Sequence, residues 1–518
     1  MHPTIGTVFE NVACRYPKRE ALVCLKTGRR WTYGDWFQEV KRMSSALYNL
    51  GLRKGDVLSV CLFNNADFTT LYFAAARLGI VFNPINYRLT SAEAAYILND
   101  CEAKAIVFEK ATTGLIEGAR PQLKTVKNFL YTDSDPPPYA IYLHELTSKG
   151  LPNEDINAIE VGENEPYAIL YTSGTTGRPK GVVHCHRAIL DHCYLIMHAA
   201  GLTYNDIGLS AAPLYHAAEL HGGFLPRVMA GAKNVLLPLF KPSDVLAAVQ
   251  AEKVTLFFGA PTMWYMLLQE DLSLYDLSSL RLGLYGASSM SAEMVSRIRQ
   301  AFNIELLQAY GMTEFGPCVT FLLPYEQISK AGSAGKPILN HEIRVVRYSE
   351  NPPSDPDDVL QPGEVGEILV RGTGRMLYYH KLDDETKRKF YKGWYHTSDM
   401  GYIDVNGYLW WVDRADDIII SGGVNISSRE VEDALMRHPG VLEVAVVGLP
   451  DEKWGQIVTA FVVLKEGTTA EDLESFLTRE ECLAHYKRPK SYVVVEALPK
   501  TPTGKVKKYE LRWLGKQK

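Results

Sequence analysis

Short apolar runs rich in Val, Ile, Leu and Phe recur through the first four-fifths of the chain: VLSVCLF (57–63), AIVFE (105–109), YAILYTS (167–173), NVLLPLF (234–240), VTLFFGAP (254–261) and LRLGLYGA (280–287). Each has the length of a strand buried on both faces. Between them DFTTLYFAAARLG (67–79), SDVLAAVQAEK (243–253) and SAEMVSRIRQAF (291–302) place apolar residues at helical spacing. Strand and helix therefore alternate as in parallel βαβ units, an α/β architecture of layered sheets that binds ligands at the carboxyl ends of its strands.

After about residue 340 the texture changes, and EIRVVRYSE, the loop NPPSDPDD, GEVGEILVRG and GYLWWVDR read as β-ribbon. Beyond WVDRADDIIISGG, REVEDALMRHP and EDLESFLTRE read as helices, and VLEVAVVGLP and QIVTAFVVLKEG as strands. The expected organisation is a large N-terminal α/β domain over 1–415, with a β subdomain over about 340–415, and a small α+β domain over 416–518.

Composition narrows the class. With 518 residues and 46% hydrophobic content the chain is long enough for several cores, which excludes general disorder. The 55 Lys+Arg against 60 Asp+Glu give a net charge of −5, with no nucleic-acid footprint. Only the end from Lys505 to Lys518 is locally basic, which is compatible with weak peripheral membrane contact or a solvated final helix. The eight cysteines are scattered without a CxxC pair, which argues against a disulfide framework or a zinc ribbon. His184, Cys185, His186, His192 and Cys193 are dense in metal-binding side chains but lack zinc spacing. Neither a signal pattern at the start nor an apolar run near the roughly 18 residues that span a bilayer is present, so a cytoplasmic, soluble protein is expected.

The most informative segment is Tyr171-Thr-Ser-Gly-Thr-Thr-Gly-Arg-Pro-Lys-Gly181, between a strand pattern and a helix starting near His186. A loop so rich in Gly, Ser and Thr presents N–H groups and hydroxyls to polyphosphate oxygens, and Lys180 adds positive charge. It departs from GxxxxGK[ST], which removes the main support for a P-loop kinase or ATPase; a GxSxG serine-hydrolase elbow is also missing.

With this loop the chain resembles the adenylate-forming superfamily of acyl-CoA synthetases, luciferases and peptide-synthetase adenylation domains. The resemblance continues in order through PLYH (213–216), YGAS (285–288), QAYGMTE (308–314), GEVGEILVRG (363–372), WYHTSDMG (394–401), DRADDIIISGG (413–423) and PKTPTGKV (499–506). It implies ATP and Mg2+ as cofactors, coenzyme A as co-substrate and a small carboxylic acid as partner, with a homodimer left open. The nucleotide would be held by Thr172, Ser173, Gly174, Thr175, Thr176, Gly177, Lys180, Gly286, Ala287, Ser288, Gln308, Ala309, Tyr310, Gly311, Met312, Asp399 and Arg414. Thr313 would contact phosphate, Glu314 would hold the metal, and Asp399, backed by Arg414, would bind the ribose. Lys505 would stabilise charge as a carboxylate attacks the α-phosphate, from a mobile C-terminal domain turning about Asp416. Rotation would then present Gly422 and Gly423 to the pantetheine arm of CoA. Lys487, Arg488 and Lys490 suit either CoA phosphates or a solvated loop, and Val424 with Ser427-Ser428 departs from the usual glutamate-containing sequence after that glycine pair.

The resemblance places the acid pocket beside PLYH and YGAS, lined by Tyr215, Glu219, Leu220, Phe257, Gly259 and Tyr285, with His216 steering the carboxylate. AGSAGKP (331–337), YGASSM (285–290) and GLPDEKWGQ (448–456) look most like bacterial fatty-acyl-CoA synthetases. A medium- or long-chain fatty acid therefore leads. An aryl or branched acid, an adenylating enzyme with a different acceptor, and a non-catalytic nucleotide-binding protein are the alternatives.

Overall fold

The computed structural model describes residues 3–149, 156, 158–172, 178–286, 290–349, 352–422, 424–479, 483–500 and 506–515. The chain divides into two compact units, Met1–Glu342 with Arg371–Arg388, and Ile343–Val370 with Lys389–Lys518.

The first unit is built on two large sheets. In one, the strands Glu305–Tyr310, Leu282–Gly286, Leu256–Phe258, Ile207–Ser210, Lys233–Leu236 and Glu20–Cys24 lie side by side and parallel. In the other, Pro166–Thr172, Val81–Pro84, Val57–Cys61, Ala105–Phe108, Asn128–Tyr131 and Ile141–Tyr142 are likewise parallel. The apolar runs of the sequence are thus the central strands, buried on both faces as their unalternating composition requires. Helices occupy the expected segments at Ala66–Leu78, Pro242–Glu252 and Ala292–Phe302. Ala66–Leu78 is buried nearly all round, and its core joins Leu22 of one sheet to Leu58, Val60 and Phe82 of the other. It starts where the Asn65 side chain accepts the Phe68 N–H, and stops at Gly79 in a left-handed conformation, φ 67°.

The second unit holds antiparallel ribbon. Trp394–Ile403 pairs with Gly366–Gly372 on one side and Leu409–Arg414 on the other. A second sheet centres on the long hairpin Val441–Asp451 with Gly455–Leu464, covered by helices Ser428–Leu435 and Ala470–Arg479 around a core that includes Val431, Leu435, Leu473 and Leu477. The expected α/β layers and the α+β end are both present. Among the described residues no helix is long and apolar enough to cross a membrane.

Candidate active site

Strand Pro166–Thr172 turns back on Lys180–Cys185, antiparallel, with Thr172 opposite Lys180. The mouth of the Gly/Ser/Thr loop is therefore fixed at both ends by a hairpin, while Ser173, Gly174, Thr175, Thr176 and Gly177 lie outside the described residues. Lys180 Nζ lies 2.6 Å from Glu385 Oε1, and each side chain is only 13% exposed. The same ammonium sits 5.5 Å from the centre of the Tyr379 ring. Tyr379 belongs to a two-residue strand that extends the sheet by pairing with Val182.

The second cluster stands at the end of strand Glu305–Tyr310, where Gln308, Ala309 and Tyr310 face Leu322, Phe321 and Thr320, and Gly286 lies beside Ala309. Two glycines here are set by backbone proximity: a Cβ at Gly286 would stand 2.7 Å from the Ala309 carbonyl oxygen, and one at Gly311 2.0 Å from that of Pro317. Ala287 and Ser288 lie outside the described residues. After half-buried Met312 the chain makes a single tight turn, Thr313–Phe315, held by three bonds. His184 Nε2 donates to the Thr313 carbonyl (2.6 Å), the Met376 N–H to the Glu314 carbonyl (2.7 Å), and the Tyr379 hydroxyl to Glu314 Oε1 (2.7 Å). A carboxylate and a hydroxyl side by side on a half-buried turn form a hard-oxygen donor set, which Mg2+ prefers and softer metals do not require. The residues present fit that ion.

In the second unit, Asp399 and Arg414 face each other across two strands, with Arg414 Nη1 2.8 Å from Asp399 Oδ1. The Asp399 N–H donates to the Thr397 hydroxyl at 2.9 Å, and the neighbouring Ser398 is held at φ 59°, a left-handed conformation unusual for a side-chain-bearing residue. Gly422 donates its N–H to the Trp454 carbonyl at 2.8 Å, whereas Gly423 and Lys505 lie outside the described residues. The Asp416 carbonyl accepts from Arg512 at 2.7 Å. Of the basic trio, Lys487 pairs with Glu430 at 2.6 Å, Arg488 donates to the Leu483 carbonyl and the Thr478 hydroxyl, and Lys490 sits 3.4 Å from the Trp454 ring centre.

The residues assigned to the acid pocket separate into two groups. Tyr215 packs edge-on against Tyr87 at 5.1 Å, and His216 is half-buried, its Nδ1 accepting the Ala218 N–H at 3.2 Å. Leu220, Phe257 and Tyr285 are each no more than 1% exposed and belong to two of the unit's cores. A Cβ on Gly259 would stand 2.8 Å from the Phe257 ring. Glu219, also expected in the pocket, is held by a buried ion pair. Both it and Arg227 are fully buried, paired at 2.7 Å, and Glu219 Oε1 also accepts from the Ser210 hydroxyl at 2.6 Å. Burial pushes this carboxyl above its usual range, against the pull of Arg227.

His184, His186 and His192 of the metal-ligand-rich run belong, with distant His221 and His341, to a buried histidine cluster. His184, His186, His192 and His221 are fully enclosed, His341 nearly so, and each keeps one ring nitrogen without a partner among the described residues. Desolvation holds them neutral: His184, His186 and His341 are pushed down to about 4, His192 to about 3, and His221 well below its usual value. The VVHCH segment was the available signal, but His221 and His341 lie too far along the chain for spacing to join them. Among the described residues no group of three or more His, Cys, Asp or Glu side chains is arranged to hold a metal.

Comparison with known proteins places these features in context. The sequence profile of AMP-binding enzymes matches residues 9–380, and that of the AMP-binding enzyme C-terminal domain matches 430–505. The chain is 33% identical over 514 residues to the long-chain-fatty-acid–CoA ligase FadD13 of Mycobacterium tuberculosis, covering 98% of each. It is 35% identical over 488 residues to a feruloyl-CoA synthase of an Amycolatopsis species, covering 94% of each. Among solved structures, that of the anthranilate CoA ligase AuaEII with anthranoyl-AMP superposes with a TM-score of 0.88 at 27% identity, covering 99% of this chain and 97% of the other.

Proposed function

The chain belongs to the AMP-binding enzyme family, as one of its ATP-, Mg2+- and CoA-using acid:CoA ligases, and from that membership we propose that it acts on a medium- or long-chain fatty acid in the cytoplasm. A free carboxylate is a poor electrophile, so the reaction proceeds by way of an acyl-adenylate. A carboxylate oxygen bonds to the α-phosphorus of ATP as the bond to pyrophosphate breaks; the CoA sulfur then bonds to the acyl carbon, and AMP leaves.

The observation that supports this reading best is Tyr379, whose hydroxyl contacts Glu314 and whose ring lies beneath Lys180. One side chain thereby ties a cation suited to phosphate to a carboxylate suited to the metal. Mg2+ held by Glu314 would neutralise phosphate charge and leave pyrophosphate a better leaving group. Thr172, Ser173–Gly177 and Lys180 would cradle the phosphates, Gly286–Ser288 and Gln308–Met312 would line the adenosine site, and Thr313 would steady the α-phosphate. Asp399, oriented by Arg414, would take the ribose hydroxyls. Tyr215, His216 and Gly259 would border the acid. Lys505 would counter the charge that builds during adenylation, and a turn of residues 416–518 about Asp416 would replace it with Gly422 and Gly423 for the thioester step.

Segments resembling bacterial fatty-acyl-CoA synthetases and the match to the mycobacterial ligase support the fatty-acid assignment. The 35% identity to the feruloyl-CoA synthase favours an aryl acid as the second reading. Pyrophosphate release, followed with ATP, Mg2+ and CoA over fatty, aryl and branched acids, separates the two: the fatty-acid assignment expects the highest kcat/KM with an acyl chain, and a higher value with an aryl acid would replace it.

A further inference from the structure

Lys180 is the cation at the mouth of the phosphate loop, yet it is already neutralised. Glu385, on the segment Asp383–Lys389, holds it at 2.6 Å in a setting where neither side chain is more than 13% exposed. Water screens such a pair far less than one on an open surface, so the carboxylate is a real competitor for any anion that approaches the ammonium. A buried pair of this kind is usually costly to open, because the abandoned partner keeps its charge without compensation. Glu385 escapes that cost: its other oxygen accepts from the Arg388 guanidinium, which is 66% exposed and stays with Glu385 if Lys180 turns away. The lysine keeps company as well, since the Tyr379 ring lies under it and links it to Glu314. The two cations and two carboxylates are therefore wired so that Lys180 can change anions without leaving a buried charge unpaired.

We propose that Glu385 is the internal counter-ion that Lys180 exchanges for the nucleotide's phosphates, a positioning residue that weakens the hold on pyrophosphate and so speeds its departure. The proposal rests on the adenylating reading of the site. In the resting protein Glu385 occupies Lys180; ATP displaces it, and Glu385 reclaims the lysine once pyrophosphate leaves. No bond is made or broken in the exchange. A carboxylate whose role was simply to hold the fold would instead be expected to support phosphate binding by keeping Lys180 in place.

The test is direct binding of inorganic pyrophosphate with Mg2+ to the purified full chain by titration calorimetry, which needs no knowledge of the acid. Glu385→Gln removes the competing charge, and its pyrophosphate Kd is expected to fall about fivefold or more. Arg388→Gln leaves Glu385 with Lys180 alone, and its Kd is expected to rise. In a Lys180→Met background, Glu385→Gln is expected to change nothing. In steady-state turnover, product inhibition by pyrophosphate should strengthen in Glu385→Gln in the same proportion. A Kd that is unchanged or higher in Glu385→Gln overturns the proposal while leaving the adenylating reading intact. If that variant does not fold, Arg388→Gln decides alone, and a Kd that fails to rise overturns the proposal. A wild-type chain that binds neither pyrophosphate nor ATP overturns the adenylating reading and the proposal with it.

Discussion

The Tyr379 hydroxyl donates to the Glu314 carboxylate at 2.7 Å, across sequence positions 65 residues apart. The bond joins an edge strand of one sheet to the turn at the end of the other, and orients the carboxylate that suits Mg2+. A hydrogen bond to a charged group contributes about 1.5–3 kcal/mol. Tyr379→Phe, which keeps the ring under Lys180, should therefore raise the KM for Mg·ATP by about tenfold with little change in the thermal midpoint. An unaltered KM would show that Glu314 needs no orientation by this hydroxyl.

Glu314→Gln preserves size and hydrogen-bonding reach but removes the charge proposed to hold the metal. Adenylation should fall by about 10²–10³ in kcat, the range for losing one preorganised electrostatic contact. Raising Mg2+ should recover part of that loss, and a rate insensitive to Mg2+ would contradict the role.

The Arg227–Glu219 pair is wholly enclosed and its partners are bonded to each other, so its loss should register first in stability. Arg227→Leu leaves a buried carboxylate alone and should cost about 3–5 kcal/mol, visible as a sharp drop in the thermal midpoint. The double variant Arg227→Leu with Glu219→Leu should regain much of it. An acid profile that changed with Glu219→Gln at unchanged stability would place this residue at the pocket.

The five histidines of the buried cluster make stability depend on pH with a definite sign. His184, His186 and His341 are pushed down to about 4, His192 to about 3 and His221 well below its usual range, whereas an unfolded chain protonates them near 6.5. Between these limits the unfolded state binds the extra protons, so stability is full above about pH 6.5 and is lost as pH falls toward 4, by up to about 1.4 kcal/mol per pH unit for each histidine. The thermal midpoint should be flat from pH 8 to 7 and fall steeply between 6.5 and 5.5, above the range where carboxylates titrate. A midpoint constant down to pH 5.5 would contradict the neutral, desolvated cluster.

Asp399 should matter through nucleotide affinity. Asp399→Ala removes a buried, oriented acceptor and should raise the KM for ATP by about 10–100-fold. It should also shrink the preference for ATP over its 2′-deoxy analogue, a readout that a loss of packing alone would not move.

What the sequence made legible, and what it hid, follows from the range of each signal. Runs such as VLSVCLF and YAILYTS announce strands because burial on both faces excludes polar residues from several consecutive positions, and the strands Val57–Cys61 and Pro166–Thr172 sit where those runs lie. The two-residue strand at Tyr378–Tyr379 is too short for any periodicity, so the link from Tyr379 to Glu314 had no local trace. Glu219 and Arg227 lie eight residues apart in an irregular helical stretch, where nothing local distinguishes a buried pair from two solvated charges. His184 stood out in VVHCH, but its bond to the Thr313 carbonyl spans 129 residues and has no local trace in the sequence. Glu385 lies in the run Asp383-Asp384-Glu385, whose composition reads as a solvated acidic surface; only the folded position of Lys180 sets it apart.

The most direct measurement of the central claim is to follow the two half-reactions separately with the preferred acid, comparing wild type with Lys505→Ala and Gly423→Leu. The account predicts acid-dependent, CoA-independent exchange of labelled pyrophosphate into ATP by the wild type. It predicts loss of that exchange in Lys505→Ala, with thioester formation from pre-made acyl-adenylate retained, and the reverse pattern in Gly423→Leu. Formation of ADP instead of AMP, or exchange that requires CoA, would contradict it.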